Sequence, residues 1–249
     1  MIFAVAFCGA AVAWMMPWWW WALDLLLVLI AVGAGVFLQG AGLFARPILA
    51  ARPENAAGKL ALTFDDGPDP VHTRQVMELL EAAGQRGTFF VIGRRAEAHA
   101  DLLKELVQRG HALGNHSWHH AHTTPFLAPK KLAEDLRRAQ GLMEQTTGHA
   151  PRWFRPPVGI LSPRVVEAAK LAQLELVGWS KNARDGVAAS VEAATQRLLA
   201  GLKPGAILVL HDAAERGDRQ PIAADVLTRI LKEMQARGLR SVTLDELLT

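Results

Sequence analysis

Two adjacent carboxylates, Asp65 and Asp66, close the apolar run Lys59–Phe64 and are followed at once by Gly67 and Pro68. A carboxylate pair can share the work of holding a cation and moving a proton, provided both reach one site. Successive residues of a strand point to opposite faces, so the chain must turn there, and Gly67-Pro68 supplies a turn. Further on, His116-Ser117-Trp118-His119-His120 offers imidazoles four residues apart, which one helical turn would bring to one face. Two His and a carboxylate make a three-ligand metal set that leaves a position open for water or substrate. Spacing leaves both His119 and His120 open as the second imidazole, and His122 reads as a surface residue. Phe154-Arg155-Pro156-Pro157-Val158-Gly159 is a stiff segment led by a cation, and an Arg beside a buried carboxylate holds it ionised and oriented. Val209-Leu210-His211-Asp212 places an imidazole at the end of an apolar strand, while His72, His99, His111 and His149 have no partner pattern.

These residues need elements to bring them together. Short apolar runs predict strands at Lys59–Phe64, Gly87–Ile92, His111–Asn115, Trp153–Arg155, Leu174–Trp179, Ala206–Leu210 and Ser241–Leu244. Amphipathic stretches between them predict helices over Val71–Ala83, Ala96–Arg109, Lys130–Gln145, Pro163–Ala172, Val191–Leu202 and Ile222–Arg237, the last with Val226, Ile230, Leu231 and Met234 at helical spacing. Such alternation implies a mostly parallel sheet with helices outside. Asp65, Asp66, His116, Arg155 and His211 then all fall at C-terminal strand ends, the face where a parallel barrel gathers its chemistry.

The ordered set Thr63-Phe64-Asp65-Asp66-Gly67-Pro68, His116-Ser117-x-x-His120, Arg155-Pro156-Pro157, Trp179 with Asp185, and Leu210-His211 resembles the polysaccharide deacetylases of carbohydrate esterase family 4, the NodB homology group, over about residues 58–248. The resemblance implies an α/β fold, an irregular (β/α)7 barrel. It also implies Asp66, His116 and His120 as metal ligands, Asp65 as general base with Arg155 tuning it, and His211 as general acid supported by Asp185. The Val158 backbone N–H would be an oxyanion donor, and Trp179 and Pro156 would line the substrate groove. The implied cofactor is a divalent ion, Zn²⁺ by expectation, with Co²⁺ or Ni²⁺ as alternatives. The implied reaction is hydrolysis of the N-acetyl group of an amino sugar in a polysaccharide, peptidoglycan or lipid-linked glycan. A catalytically weak, membrane-tethered glycan-binding module of the same fold is the competing expectation. This chain departs from the family pattern at Val158, where an aromatic residue is usual, at Val209, where Leu is common, and in the spelling of Trp179–Gly186.

The N-terminal segment has a different composition. Of 27 basic and 24 acidic residues, residues 1–45 hold only Asp24. As one helix these residues would extend roughly 68 Å, against about 30 Å of hydrocarbon. Pro17 and the run Trp18–Trp21 mark an interfacial turn. The expectation is therefore a transmembrane hairpin of two helices, about 1–17 and 23–45, then a linker over 46–57 and a catalytic domain over 58–249. That expectation places the protein at a cell membrane, a bacterial inner membrane, in contact with lipid, with the side of the catalytic domain open. A net charge of +3 is too small to argue for a nucleic-acid partner.

Overall fold

Strand β1, Lys59–Asp65, is buried along nearly its whole length because it is covered on both faces. Its side chains alternate. Leu60, Leu62 and Phe64 face the outer core beneath the helices, and Ala61 faces an inner core with Phe90, Trp153, Val177 and Ile207. By the same alternation Thr63 and Asp65 point inward, which carries the first candidate carboxylate into the mouth of the curled sheet. The structure is a computed structural model and describes residues 17–37, 44–52, 54, 56–186, 190–214 and 220–249.

Around β1 lie β2 (Gly87–Val91), β3 (Ala112–Asn115), β4 (Trp153–Phe154), β5 (Glu175–Leu176), β6 (Lys181–Asn182), β7 (Ile207–His211) and β8 (Arg240–Ser241). Their order is β5-β4-β3-β2-β1-β7-β6, with β8 also pairing β1, and every pairing is parallel. The sheet is thus a curled α/β half-barrel. Among the described residues β5 and β6 do not pair with each other. Register places Asp65 beside Phe90 on one side and His211 on the other. The expected strands are present with their ends shifted, and β4, β5 and β8 shrink to two residues each. The dipeptide β6 is an addition; Lys and Asn are weak strand formers, and it is held only as an edge against β7.

The expected helices form with small shifts. Helix α1, Trp18–Phe37, precedes the sheet. The stretch read as one helix over Ala96–Arg109 is two, α3 (Gly93–Ala98) and α4 (Ala100–Gln108), broken at His99; α2 (His72–Ala82) lies before them. Helix α5 (Pro129–Thr147) ends at Gly148 with φ 77°, the left-handed cap that glycine adopts without strain. Helices α6 (Pro163–Leu171) and α7 (Val191–Leu199) start at Ser162 and Ser190, whose side chains accept from Val165 and Ala193 N–H; such caps contribute about 1 kcal/mol each. Helix α8 (Ala223–Ala236) buries Ala223, Val226, Leu227, Ile230 and Met234 as one stripe, and α9 (Leu244–Leu248) closes the chain.

The stretch read as a linker is hydrogen-bonded on both sides. Ile48 pairs with Val177 and Ala50 with Ala206, and Ala51 N–H donates to Gly205 O at 2.9 Å. Ile48 and Ala51 pack on the inner core, so residues 48–51 strap the gap between β5 and β7.

The expected membrane location is overturned. Among the described residues no helix is long and apolar enough to cross a membrane. Within α1 four Trp form the first turn and Asp24 follows. The first arm of the expected hairpin, residues 1–16, and residues 38–43 lie outside the described residues.

Candidate active site

Asp65 ends β1 pointing inward, and the next residue reverses the chain. Asp66 has φ 76°, a left-handed conformation uncommon for a residue with a side chain. That reversal turns the second carboxylate back toward the first, so the turn begins at Asp66 itself, one residue before Gly67-Pro68. A Cβ at Gly67 would lie 2.5 Å from an Asp212 carboxylate oxygen, so only glycine passes beneath the loop after β7.

Three ligand atoms then converge. Asp66 Oδ1 stands 3.1 Å from His120 Nε2 and 3.4 Å from His116 Nε2. All three side chains are almost completely buried. Residues 116–120 are not helical, contrary to the spacing argument. Ser117 and His120 both have positive φ, and His120 N–H donates to Ser117 Oγ at 3.0 Å, a bend that tilts the two rings to 4.9 Å between centroids. His119 points elsewhere: its side chain is 60% exposed and its Nε2 lies 3.9 Å from Asp135.

The donor set fits a divalent cation. Ligand atoms about 2.1 Å from a tetrahedrally held ion are about 3.4 Å apart, close to the spacings here. His116 Nδ1 lies 2.7 Å from the Arg155 carbonyl, which can only accept, so Nδ1 carries the proton and Nε2 turns its lone pair to Asp66. Asp66 Oδ1 is buried without a hydrogen-bond donor. Burial by itself would raise the Asp66 pKa, but the neighbouring His116, His120 and His211 outweigh it and hold it well below the usual carboxylate range. This is the single such cluster of His, Cys, Asp and Glu among the described residues.

Two charged pairs flank the triangle. Arg155, fully buried after β4, donates to Asp65 Oδ1 at 2.7 Å, Thr63 Oγ1 at 2.9 Å and Gly178 O at 2.9 Å, and its guanidinium lies 4.1 Å over the Phe90 ring. Those bonds satisfy much of a cation that would otherwise be costly to bury. Opposite, His211 ends β7 with Nδ1 2.7 Å from Asp185 Oδ1, and its N–H donates to Asp185 Oδ2 at 2.9 Å. Burial would lower the His211 pKa, but the Asp185 charge and hydrogen bond, with the charges of Asp66 and Asp65, outweigh it and push the imidazole up to about 10.

Asp65, Asp66, His116, His120, Val158, Trp179 and His211 line one cavity of about 190 Å³. Arg155 and Asp185 stand behind it. Pro156 is buried under the turn and does not reach the cavity; its carbonyl accepts from Gly159 N–H at 2.9 Å. Val158, at φ 58°, is an outlier for a β-branched residue and is held at the rim, 59% exposed. Gly159, Asn182, Arg184 and Gly186 complete the lining and were not picked out from sequence. Proximity to Asp185 was the available signal for the last three.

Known proteins resemble this chain in sequence and fold. A family model described as polysaccharide deacetylase matches residues 52–177. A peptidoglycan-N-acetylglucosamine deacetylase of Bacillus cereus is 37% identical over 192 residues, 76% of this chain and 87% of that protein. A chitooligosaccharide deacetylase of Azorhizobium caulinodans is 32% identical, over 76% of this chain and 94% of that one. Among solved structures, a family 4 acetyl xylan esterase from Clostridium thermocellum, in complex with a cobalt ion, superposes with a TM-score of 0.68 at 30% identity, covering 76% of this chain and 89% of the other.

Proposed function

Because the chain belongs to the polysaccharide deacetylase family, we propose that it is a deacetylase that requires a divalent metal ion and removes the N-acetyl group from an amino sugar within a glycan. N-acetylglucosamine in peptidoglycan or in a chitooligosaccharide is the substrate class, in line with what its relatives are named for. One observation carries the reading. The Asp66–His116–His120 triangle shares a cavity with Asp65 and His211, each backed by its own oppositely charged partner.

In this reading Asp66, His116 Nε2 and His120 Nε2 hold the cation. When bound it supplies Lewis acidity toward the acetamide carbonyl and lowers the pKa of a water molecule. Zn²⁺ is the expected ion, with Co²⁺ or Ni²⁺ as alternatives. Asp65 takes the proton of the attacking water; Arg155 occupies Oδ1, so Oδ2 is the atom left to accept it. The Val158 N–H donates to the oxygen on which negative charge develops, an interaction commonly worth a few kcal/mol. His211 is oriented by Asp185 through Nδ1, so Nε2 delivers a proton to the amine nitrogen as the C–N bond breaks. Without that proton the amine would be a very poor leaving group. Acetate and a free amino sugar are the products. Trp179 offers an aromatic wall to the sugar ring.

A pure glycan-binding module has no need of both the Arg155–Asp65 and the Asp185–His211 pairs. A lipid-linked glycan was motivated by a membrane location that no helix among the described residues supports. The test is acetate release by chelator-treated protein with and without added Zn²⁺, Co²⁺ or Ni²⁺, on peptidoglycan fragments and chitooligosaccharides. Equal release with and without metal, or none on any N-acetyl glycan, refutes the reading.

A further inference from the structure

Ile92 and the first turn of α3, Gly93–Arg95, lie outside the cavity yet are bonded to three of the loops that build it. Ile92 N–H donates to Gly67 O at 2.8 Å, Gly93 N–H to Ser117 O at 2.9 Å and Arg94 N–H to Trp118 O at 3.1 Å. Gly93 permits this approach: a Cβ there would sit 2.4 Å from a Trp118 ring carbon. The Arg95 side chain extends the same pattern. Its Nη1 donates to Asp66 O at 2.8 Å and its Nη2 to Ala214 O at 2.7 Å. One guanidinium thus joins the main chain of a candidate ligand to the loop that follows His211.

What it joins needs support. Asp66 is held at positive φ, and non-glycine residues keep such conformations only where their surroundings over-determine them. Among the described residues Arg95 has no carboxylate partner; its charged donors go to two carbonyls 148 positions apart in sequence (residues 66 and 214). The planar fork of arginine reaches both at once, whereas a lysine ammonium is a single point.

We infer that Arg95 is a positioning residue: by clamping the carbonyls of Asp66 and Ala214 it fixes the carboxylate ligand and the loop after His211 relative to each other. It therefore sets both metal affinity and proton delivery without touching substrate. The inference rests on the metal-dependent reading above.

The test uses the full chain as wild type, Arg95→Met and Arg95→Lys. Co²⁺ binding is followed by its visible absorption, turnover is measured on a chitooligosaccharide at saturating metal, and thermal midpoints are recorded. Replacing groups that orient metal ligands typically weakens metal affinity 10–100-fold. Arg95→Met is expected at the lower end, about tenfold, with an altered Co²⁺ spectrum. Its kcat should fall while KM stays within about twofold. Arg95→Lys, keeping one of the two bonds, should lie between; if Arg95→Met does not fold, Arg95→Lys carries the same comparison at smaller amplitude. A variant with wild-type Co²⁺ affinity, spectrum and kcat, changed only in thermal midpoint, overturns the positioning role alone. Wild-type protein that binds no Co²⁺ overturns the metal reading and this inference with it.

Discussion

Asp185→Asn removes one negative charge from behind His211 while leaving an amide oxygen where the carboxylate accepted the ring Nδ1–H at 2.7 Å. The imidazole stands at about 10 instead of 6.5 even though burial pulls it down, and Asp185 is the largest of the groups pushing it up. Without that charge, burial competes only with the more distant Asp66 and Asp65, and the pKa should fall to the ordinary 6.5 or below. An acid must be protonated to act, so a lower pKa moves the alkaline limb of the pH–rate profile to lower pH. At pH 8 a group of pKa 6.5 is only about 3% protonated, which corresponds to roughly a 30-fold loss of kcat/KM relative to a largely protonated His211. A cation on Asp66 lowers the starting value in both proteins, so the comparison is between the two limbs and not of either limb with 10. The assay is kcat/KM for acetate release between pH 5.5 and 10, metal-saturated, for wild type and Asp185→Asn. An unmoved alkaline limb in a folded, metal-loaded variant would refute Asp185 as the support of His211, or His211 as the acid.

Other expectations address separate parts of the site and the core. Asp66→Ala and His120→Ala should each lose bound metal on elemental analysis, while His119→Ala retains it, because His119 faces solvent near Asp135; the reverse pattern for the two histidines would unseat the ligand assignment. Asp65→Asn should keep its metal and lose about 10²–10⁴-fold in kcat, and near-normal turnover would place the base elsewhere. His111 is buried and pushed down to about 4, chiefly by burial, with Arg109 and Arg86 also lowering it against Glu81. Between about 6.5 and 4 the unfolded chain then binds the extra proton, so stability falls as pH falls through that window, by up to about 3 kcal/mol. Urea unfolding of His111→Gln should show a flatter pH dependence there, and a profile parallel to wild type would count against this account.

Much of the site was legible because strand alternation and strand ends are simple geometry. Asp65 and His211 close apolar runs, and runs that pair in parallel put their last residues side by side, as the register shows. His120 was legible as a residue but not by its mechanism; a bend through Ser117, not a helical turn, brings it to His116. Strand β6 was hidden because two polar residues carry no periodicity, and their pairing is imposed by β7. Arg95 was hidden for another reason: its side chain acts on distant main-chain carbonyls, and carbonyls carry no sequence signal. The membrane location was inferred from the scarcity of charge over residues 1–45, but among the described residues no helix is long and apolar enough to cross a membrane. The segment taken for a linker looked like one from Pro47 and Pro53, yet apolar residues between them, such as Ile48 and Ala51, dock on the inner core.

That docking has a consequence for the order in which the protein is made. Ile48 is synthesised 129 residues before Val177, and Ala50 156 residues before Ala206, the partners they meet across the gap. At the 5–20 residues per second of translation, the strap waits roughly 6–30 s on the ribosome before its two docking sites exist. During that interval β1 can already gather β2 and β3, whose partners are close in sequence, but the seam cannot shut. A segment made before every strand of the sheet is therefore among the last to find its place, and until then Ile48 lacks the Val177 partner it meets in the folded sheet.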